Sequence, residues 1–303
     1  MSDTTDPLFD EAFLRRLEVL AIVARKVQAG RARGERRAKR TGAGLEFADH
    51  RDYAPGDDLR YLDWGVYGRL GRLLVRVFEE EEDLPIYVLI DASASMATPA
   101  SLGRPRKIDH ARRIAAALAY VGLASLDRVS IVPFSSEIGP PTPPARGRGR
   151  IFAMLDRLAA ITSDGTTDLR RAVEGFVHRV HHAGRRGLVV VISDFFDPAG
   201  AEGALSLLAY HRLEPFVIQV VDEDDARPRL LGDVNLIDIE TGEARELTVT
   251  PALLAEVARA HAALVAGLAR YCATHAISCV QADTRVAFDE LLLQVLRTGG
   301  LFA

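Results

Sequence analysis

The chain has 303 residues, of which 48% are hydrophobic and 26% are charged, and its formal net charge is −4 at pH 7. This composition excludes bulk disorder, overall attraction to nucleic acid and, with two cysteines, a disulfide framework. The longest apolar stretch, Ile114 to Leu126, is shorter than the roughly 20 residues of a membrane helix, and no signal-like segment follows Met1. We therefore expect a cytoplasmic protein that does not span a membrane.

The first predicted element is an amphipathic helix, interpreted as a docking arm, whose apolar positions are Phe13, Leu17, Leu20, Ala24 and Val27. A basic run from Arg31 to Arg40 follows it. This run is either a solvated linker or a contact for an anionic partner, including nucleic acid. Because no aromatic residue interleaves with its arginines, single-strand binding is disfavoured. We assign residues 1–41 to the helix and linker.

Residues 42–83 form a second segment, rich in turn formers and charges, in which Leu73, Val75 and Val77 alternate as in a strand. Pro55-Gly56-Asp57 predicts a turn. The charged side chains around this turn either pair with one another inside the segment or form a surface that a partner recognises. The residues proposed for partner binding are His50, Arg51, Asp57 and Arg60.

From Leu84 onward, apolar runs alternate with amphipathic helices, which predicts an α/β domain over residues 84–303 with a mostly parallel sheet flanked by helices. The predicted strands are Pro85–Asp91, Arg128–Ser135, Gly187–Asp194, Pro215–Asp222 and Ile277–Gln281. The predicted helices are Lys107–Ser125, Arg150–Ala160, Asp168–His181, Ala201–His211, Pro251–His275 and Ala287–Arg297. A β-hairpin is expected at about residues 230–250, around Thr241-Gly242-Glu243. Prolines between Gly139 and Gly149 predict a surface loop.

Two predicted strands run directly into polar residues. One leads into Asp91-Ala92-Ser93-Ala94-Ser95 and the other into Ser193-Asp194, and a third loop offers Thr167. Ligands of α/β sheets bind beyond the carboxyl ends of the strands, where such loops meet. Carboxylates and hydroxyls give an oxygen-only donor set, which suits a hard divalent cation. The sequence therefore predicts a metal site composed of Asp91, Ser93, Ser95, Thr167 and Asp194.

Each of these residues also has an ordinary structural role open to it. Ser95 or Thr167 could cap a helix, and Asp194 could begin a turn. Their joint occurrence at two strand ends and one helix start of the same sheet favours the metal site.

These motifs resemble two known families. Asp91-x-Ser93-x-Ser95, Gly165-Thr166-Thr167 and Ile192-Ser193-Asp194 resemble the metal-ion-dependent adhesion site of von Willebrand factor A domains, which are Rossmann-like. The segment Phe47–Trp64 resembles the signature of the bacterial domain of unknown function 58. The first resemblance implies that Ser93 and Ser95 touch Mg²⁺, or Mn²⁺ or Ca²⁺, directly. It also implies that Asp91 and Asp194 act largely through water, and that Thr167 joins or leaves with conformation.

The resemblance further implies that an Asp or Glu of a protein partner completes the coordination, and that family members work beside MoxR-type AAA+ ATPases. We therefore expect a non-catalytic, metal-dependent binding module, an adaptor in the assembly or activation of protein complexes. One alternative is a metal-dependent hydrolase in which Asp91 is the nucleophile or base. Ser93 opposes it, because haloacid-dehalogenase-like phosphatases have an aspartate there. The other alternative is nucleic-acid binding through the basic run.

Overall fold

The computed structural model describes residues 8–19, 41–42, 46–79, 85–98, 105–180 and 186–298, and the chain divides into two units. The larger unit spans residues 1–28 and 84–303, and the smaller unit spans residues 29–83. The strands are β1 (Thr41–Gly42), β2 (Glu46–Asp52), β3 (Leu74–Glu79), β4 (Ile86–Asp91), β5 (Val129–Phe134), β6 (Gly187–Ser193), β7 (Leu213–Val221), β8 (Gly232–Ile237), β9 (Ala244–Val249) and β10 (Ser278–Asp283). The helices are α1 (described over 11–19), α2 (Trp64–Leu70), α3 (Lys107–Ala124), α4 (Ile151–Ala159), α5 (Leu169–Arg179), α6 (Glu202–Tyr210), α7 (Glu223–Ala226), α8 (Pro251–Thr274) and α9 (Phe288–Thr298).

The larger unit is built on a five-stranded parallel sheet with the strand order β10-β7-β6-β4-β5. Every residue of the inner strand β4 is buried. Val88 and Ile90 belong to one hydrophobic core, and Tyr87 and Leu89 belong to the core on the other face. A strand covered on both faces is apolar throughout, which explains the unbroken apolar run in the sequence. The expected α/β class with a mostly parallel sheet flanked by helices is confirmed.

Helix α3 fills the first of these two cores. Nearly all of its residues are buried, so the apolar stretch that begins at Ile114 lies in a core helix. Helix α1 packs into the same core through Phe13 and Leu17, and the Phe13 ring lies 5.2 Å from that of Phe288. The described part of α1 is therefore packed within the larger unit. The rest of the predicted helix and the basic run 31–40 lie outside the described residues.

The proline-rich segment that follows β5 lies along the outer edge of that strand. The N–H of Thr142 donates to the carbonyl of Ile131 (2.9 Å), and Ala145 exchanges two backbone hydrogen bonds with Val129 (2.9 Å each). An open strand edge is a template for pairing with another chain. The predicted surface loop therefore also covers this edge of the sheet.

The hairpin predicted at about residues 230–250 is confirmed. Strands β8 and β9 pair antiparallel from Gly232 opposite Val249 to Ile237 opposite Ala244. Helix α8 follows directly, and of its residues only Leu268 and Cys272 are buried. One helix in the described part of the chain, α8, is long and apolar enough to cross a membrane by length and composition alone.

The smaller unit contains a three-stranded antiparallel sheet with the order β1-β3-β2, together with helix α2. Strand β2 was not predicted, because the sequence analysis described this part of residues 42–83 only as rich in turn formers and charges. Five of its seven residues are charged or histidine, and a register shift between Phe47 and Asp49 interrupts its pairing with β3. Its side chains therefore lack the alternation on which strand prediction depends.

Candidate metal centre

The candidate centre is built at the carboxyl ends of two neighbouring strands. Because β4 and β6 are paired in parallel, with Ile90 opposite Ile192, Asp91 and Asp194 emerge at the same edge of the sheet. Both aspartates are buried. The hydroxyl of Ser193 donates a hydrogen bond to Asp91. Burial and the nearby Asp194 carboxylate raise the pKa of Asp91 above that of a free aspartate.

The two predicted serine ligands lie in the loop directly after β4. The N–H of Ser93 donates to Oδ1 of Asp91 (2.9 Å), and the hydroxyl oxygens of Ser93 and Ser95 are 3.0 Å apart. Both side chains are buried. Ser95 lies inside the short 3₁₀ turn Ala94–Ala97, and Ser93, which precedes that turn, makes no side-chain capping bond. Neither hydroxyl is therefore used to cap this turn, and the structural role considered for Ser95 is not observed.

A third loop is held against the serine loop by two backbone hydrogen bonds. The N–H of Asp164 donates to the carbonyl of Ala92 (2.8 Å), and the N–H of Ala94 donates to the carbonyl of Gly165 (3.0 Å). Gly165 has a φ of +79°, a conformation that glycine adopts without a steric penalty. These bonds bring the loop that carries Thr167 to the Asp91 end of the sheet.

Thr167 is buried and is not the cap of the helix that follows it. Helix α5 is capped by Asp168, whose carboxylate accepts from the N–H of Arg171 (2.8 Å). Both donors of Thr167 bond instead to Glu240 in the turn of the β8–β9 hairpin. Its N–H lies 3.0 Å from Oε2 and its Oγ1 lies 2.8 Å from Oε1.

Asp194 is paired with a buried lysine from the start of helix α3. The Nζ of Lys107 lies 2.7 Å from the Asp194 carboxylate, 2.9 Å from that of Asp225 and 4.7 Å from the centre of the Phe196 ring. Burial lowers the pKa of Lys107, but the attraction of the two carboxylates outweighs it and leaves this pKa raised. Lys107 is therefore a permanent positive charge at one side of the centre.

Asp194 also begins a turn, which was the ordinary role considered for it. Its Oδ1 accepts from the N–H of Phe196 (3.2 Å), and Ser193 Oγ accepts from the N–H of Phe195 (2.8 Å). Phe195 has a φ of +60°, which is uncommon for a residue with a side chain. The turn role and a place in the centre thus coexist at Asp194.

The donors fit a divalent cation of the Mg²⁺ type. Carboxylates from Asp91 and Asp194 and hydroxyls from the three predicted ligands are all oxygen donors, and all five side chains are buried. Asp225 and Glu240 add two more carboxylates, whereas Lys107 is the cation bonded to this group among the described residues. In that part of the chain, no cluster of three or more His, Cys, Asp or Glu side chains is arranged to hold a metal. Binding would thus depend on the hydroxyls.

Three residues of this centre escaped the sequence analysis, namely Lys107, Asp225 and Glu240. Lys107 is 87 positions from Asp194, and Glu240 is 73 positions from Thr167. Glu240 lies beside the hairpin turn that was predicted, but nothing in the turn pattern indicates what its tip contacts.

In the smaller unit, the four residues proposed for partner binding all take part in internal hydrogen bonds or ion pairs. Their contacts are His50 with Asp63 (2.9 Å), Arg51 with Asp57 through two bonds of 2.6 Å, and Arg60 with Asp58 (2.6 Å). The hydrogen bonds from Arg51 lower the pKa of Asp57 to about 2. The predicted turn is confirmed, since the N–H of Asp57 donates to the carbonyl of Ala54 (3.0 Å) and Gly56 has a φ of +106°. These side chains therefore pair within the segment, with Asp57 as the partner of Arg51, and their recognition by a binding partner stays a prediction.

Comparison with known proteins assigns the chain to a family. The model of a family described as "Protein of unknown function DUF58" matches residues 49–266, which is well over half of the chain. The chain belongs to the DUF58 family. The uncharacterized protein Rv1480 of Mycobacterium tuberculosis is 31% identical over 271 residues, covering 88% of the DUF58 chain described here and 82% of its own. The uncharacterized protein MAV169 of Mycobacterium avium is 42% identical over 86 residues, covering 28% and 50% of the two chains.

Solved structures show a more distant likeness to this DUF58 protein. The conserved hypothetical protein BatB from Bacteroides thetaiotaomicron is 16% identical with a TM-score of 0.42, over 71% of this chain and 97% of that one. An aerotolerance-related membrane protein from Bacteroides fragilis is also 16% identical, with a TM-score of 0.43 over 71% and 98%. Proximal thread matrix protein 1 from the mussel byssus is 14% identical, with a TM-score of 0.40 over 72% and 48%. Likeness at this level carries no argument about function.

Proposed function

We propose that this DUF58 protein is a non-catalytic module that binds a protein partner through a divalent cation. The observation that carries the proposal is the convergence of five buried oxygen donors at one edge of the sheet, where carboxylates outnumber the bonded lysine. The proposed ligands are Asp91, Ser93, Ser95, Thr167 and Asp194. A divalent cation would offset this buried negative charge, which is otherwise costly.

The chemistry of the donors indicates what the cation would bind in turn. Three of the five donors are neutral hydroxyls, so a bound ion would retain much of its positive charge and attract an anion. The Asp or Glu of a protein partner supplies such an anion. When bound, the ion would contribute this charge and a coordination position, and the chain would contribute the buried oxygen donors.

Asp91 is held in a way that supports binding rather than catalysis. Its two carboxylate oxygens accept from the Ser93 N–H and the Ser193 hydroxyl, and the side chain is fully buried. A nucleophile or general base must reach the substrate itself, whereas a carboxylate that holds Mg²⁺ can act through a water molecule of the ion. Asp91 instead fixes the serine loop.

The proposal also covers the type of domain, the ion, the cellular location and the partner. We propose that residues 84–303 form a von Willebrand factor A-type domain, that the ion is Mg²⁺, Mn²⁺ or Ca²⁺, and that the protein acts in the cytoplasm beside a MoxR-type AAA+ ATPase. The resemblance of the Asp91, Thr167 and Asp194 motifs to the metal-ion-dependent adhesion site supports the domain type and the ion. The family supports the choice of partner.

The first test is a calorimetric titration with Mg²⁺ and Mn²⁺. Wild-type protein should bind one ion, and Ser93→Ala/Ser95→Ala should bind it at least tenfold more weakly. Ser206→Ala is the matched control, because its hydroxyl contacts Tyr271 and none of the proposed ligands. Circular dichroism checks that each variant is folded.

The second test is capture of partners from a native lysate by the same proteins, each with Mg²⁺ and with EDTA. A partner retained by wild type and Ser206→Ala only when Mg²⁺ is present is the expected result. Capture of identical partners by the double variant, or in EDTA, would show that this centre does not mediate binding.

A further inference from the structure

The turn of the β8–β9 hairpin places a carboxylate of the protein itself at the candidate metal centre. Glu240 accepts two hydrogen bonds from Thr167, one from its N–H and one from its hydroxyl. We propose that the Glu240 carboxylate occupies the position at the candidate metal centre that a partner's carboxylate would take. The hairpin must therefore move Glu240 away from Thr167 before a partner can bind. This inference rests on the proposed function, because it concerns access to the same centre.

The turn is constructed so that it presents Glu240 in a defined direction. The carboxylate of Asp238 accepts from the N–H of Glu240 (2.8 Å) and from that of Thr241 (2.9 Å). The N–H of Asp238 donates to the carbonyl of Glu243 (2.8 Å), and Gly242 has a φ of +73°. A turn fixed by this many bonds loses little further freedom when its side chain binds, which favours the contact.

The remainder of the hairpin is suited to movement. Most residues of β8 and β9 are exposed, whereas Glu240 is half-buried. Apart from their pairing with each other, neither strand packs extensively against a described helix or strand. Segments with few buried contacts open at low free-energy cost. The contact between Glu240 and Thr167 is therefore well placed to decide whether the hairpin is closed.

The closed hairpin and an acidic partner would compete for the same donors. Carboxylates form strong, charge-assisted hydrogen bonds with N–H and O–H donors such as those of Thr167. A hairpin that is closed in about 90 to 99% of molecules would weaken the binding of a competing carboxylate by about ten- to a hundred-fold. Removal of the Glu240 carboxylate should recover that factor.

Hydrogen exchange tests the contact itself. In Glu240→Ala, the amide of Thr167 and the amides of residues 232–249 should exchange at least tenfold faster than in wild type, with or without Mg²⁺. Glu243→Ala is the matched control, because Glu243 lies in the same turn and is exposed. Equal exchange in the two variants would overturn the proposed closure.

Binding of glutarate, a small dicarboxylate probe, tests the competition. Its affinity should rise at least tenfold in Glu240→Ala over wild type and Glu243→Ala, in Mg²⁺ or in EDTA, and Glu240→Gln should show a smaller gain. No gain over Glu243→Ala in either condition would refute the inference even if Mg²⁺ binds. A gain in EDTA, from a protein that binds no Mg²⁺ in calorimetry, would support the inference while refuting the metal-dependent function.

Discussion

Replacement of Lys107 by methionine tests whether the buried charges of the centre are balanced as the structure indicates. Lys107 is 3% exposed and bonds to both Asp194 and Asp225. Methionine retains much of the side-chain volume and removes the charge. Two carboxylates then lose their cation in a buried site that already contains Asp91.

Breaking a buried ion pair by removing one partner costs about 3–5 kcal/mol, because the remaining charge is left without compensation. For a unit of this size, each kcal/mol lowers the melting temperature by about 2–4 °C, so we expect a fall of roughly 6 to 20 °C. Thermal unfolding followed by circular dichroism in EDTA measures it. If a divalent cation binds beside Asp194, saturating Mg²⁺ should stabilise Lys107→Met more than it stabilises wild type. A ligand at a hundredfold excess over its dissociation constant stabilises the folded state by about 2.7 kcal/mol.

The control is Arg170→Met, which breaks an exposed ion pair with Glu174 one helical turn away. Such pairs contribute about 0.5 kcal/mol or less. A Lys107→Met protein that is no less stable than Arg170→Met would refute the assignment of Lys107 as the charge on which the fold of the centre depends.

Three further predictions concern acid stability and backbone strain. Burial lowers the pKa of His110 to about 4. As the pH falls below about 6.5, His110 is protonated in the unfolded chain but not in the folded chain, and the folded state loses stability. Between pH 7 and pH 4.5, wild type should therefore lose about 2–3 kcal/mol more stability in urea unfolding than His110→Gln does; an equal pH dependence of the two proteins would contradict this. Gly165→Val should cost about 1–2 kcal/mol in denaturant titration, since φ is +79° there, and an unchanged midpoint would argue against strain. Arg51 holds the pKa of Asp57 at about 2. The ionised Asp57 therefore stabilises the wild type above about pH 4, and this stability is lost as the pH falls towards 2. Arg51→Ala should lack this acid-dependent loss. Fluorescence of Trp64, the single tryptophan, follows it, and superimposable acid titrations would contradict the assignment.

The fold of the larger unit could be predicted because its elements have strong local patterns. The apolar run of β4 and the small, apolar residues of α3 are buried on all sides, and such segments leave a clear trace in the sequence. Asp91 and Asp194 could be placed together because parallel neighbouring strands end at the same edge of a sheet.

The features that were missed depend on contacts between distant parts of the chain. Strand β2 carries charged side chains at a sheet edge, and its pairing with β3 decides its structure more than its own residues do. Lys107 looks like an ordinary first residue of a helix until the fold brings it to Asp194. Glu240 looks like an exposed residue beside a turn until the hairpin is placed against Thr167. No local pattern specifies these pairings.

The two sides of the centre have different charge balances, and this difference bears on how a cation could come and go. On one side, Asp194 has a permanent counter-charge in Lys107. On the other side, the donors that bond to Asp91 among the described residues are uncharged, and the pKa of Asp91 is raised by burial and by Asp194. If the cation dissociates, Asp91 can take up a proton and Asp194 remains paired with Lys107. Dissociation therefore does not leave a group of unpaired carboxylates in the buried centre. Removal of metal from the wild type should accordingly leave the fold intact, which a centre used for reversible binding requires.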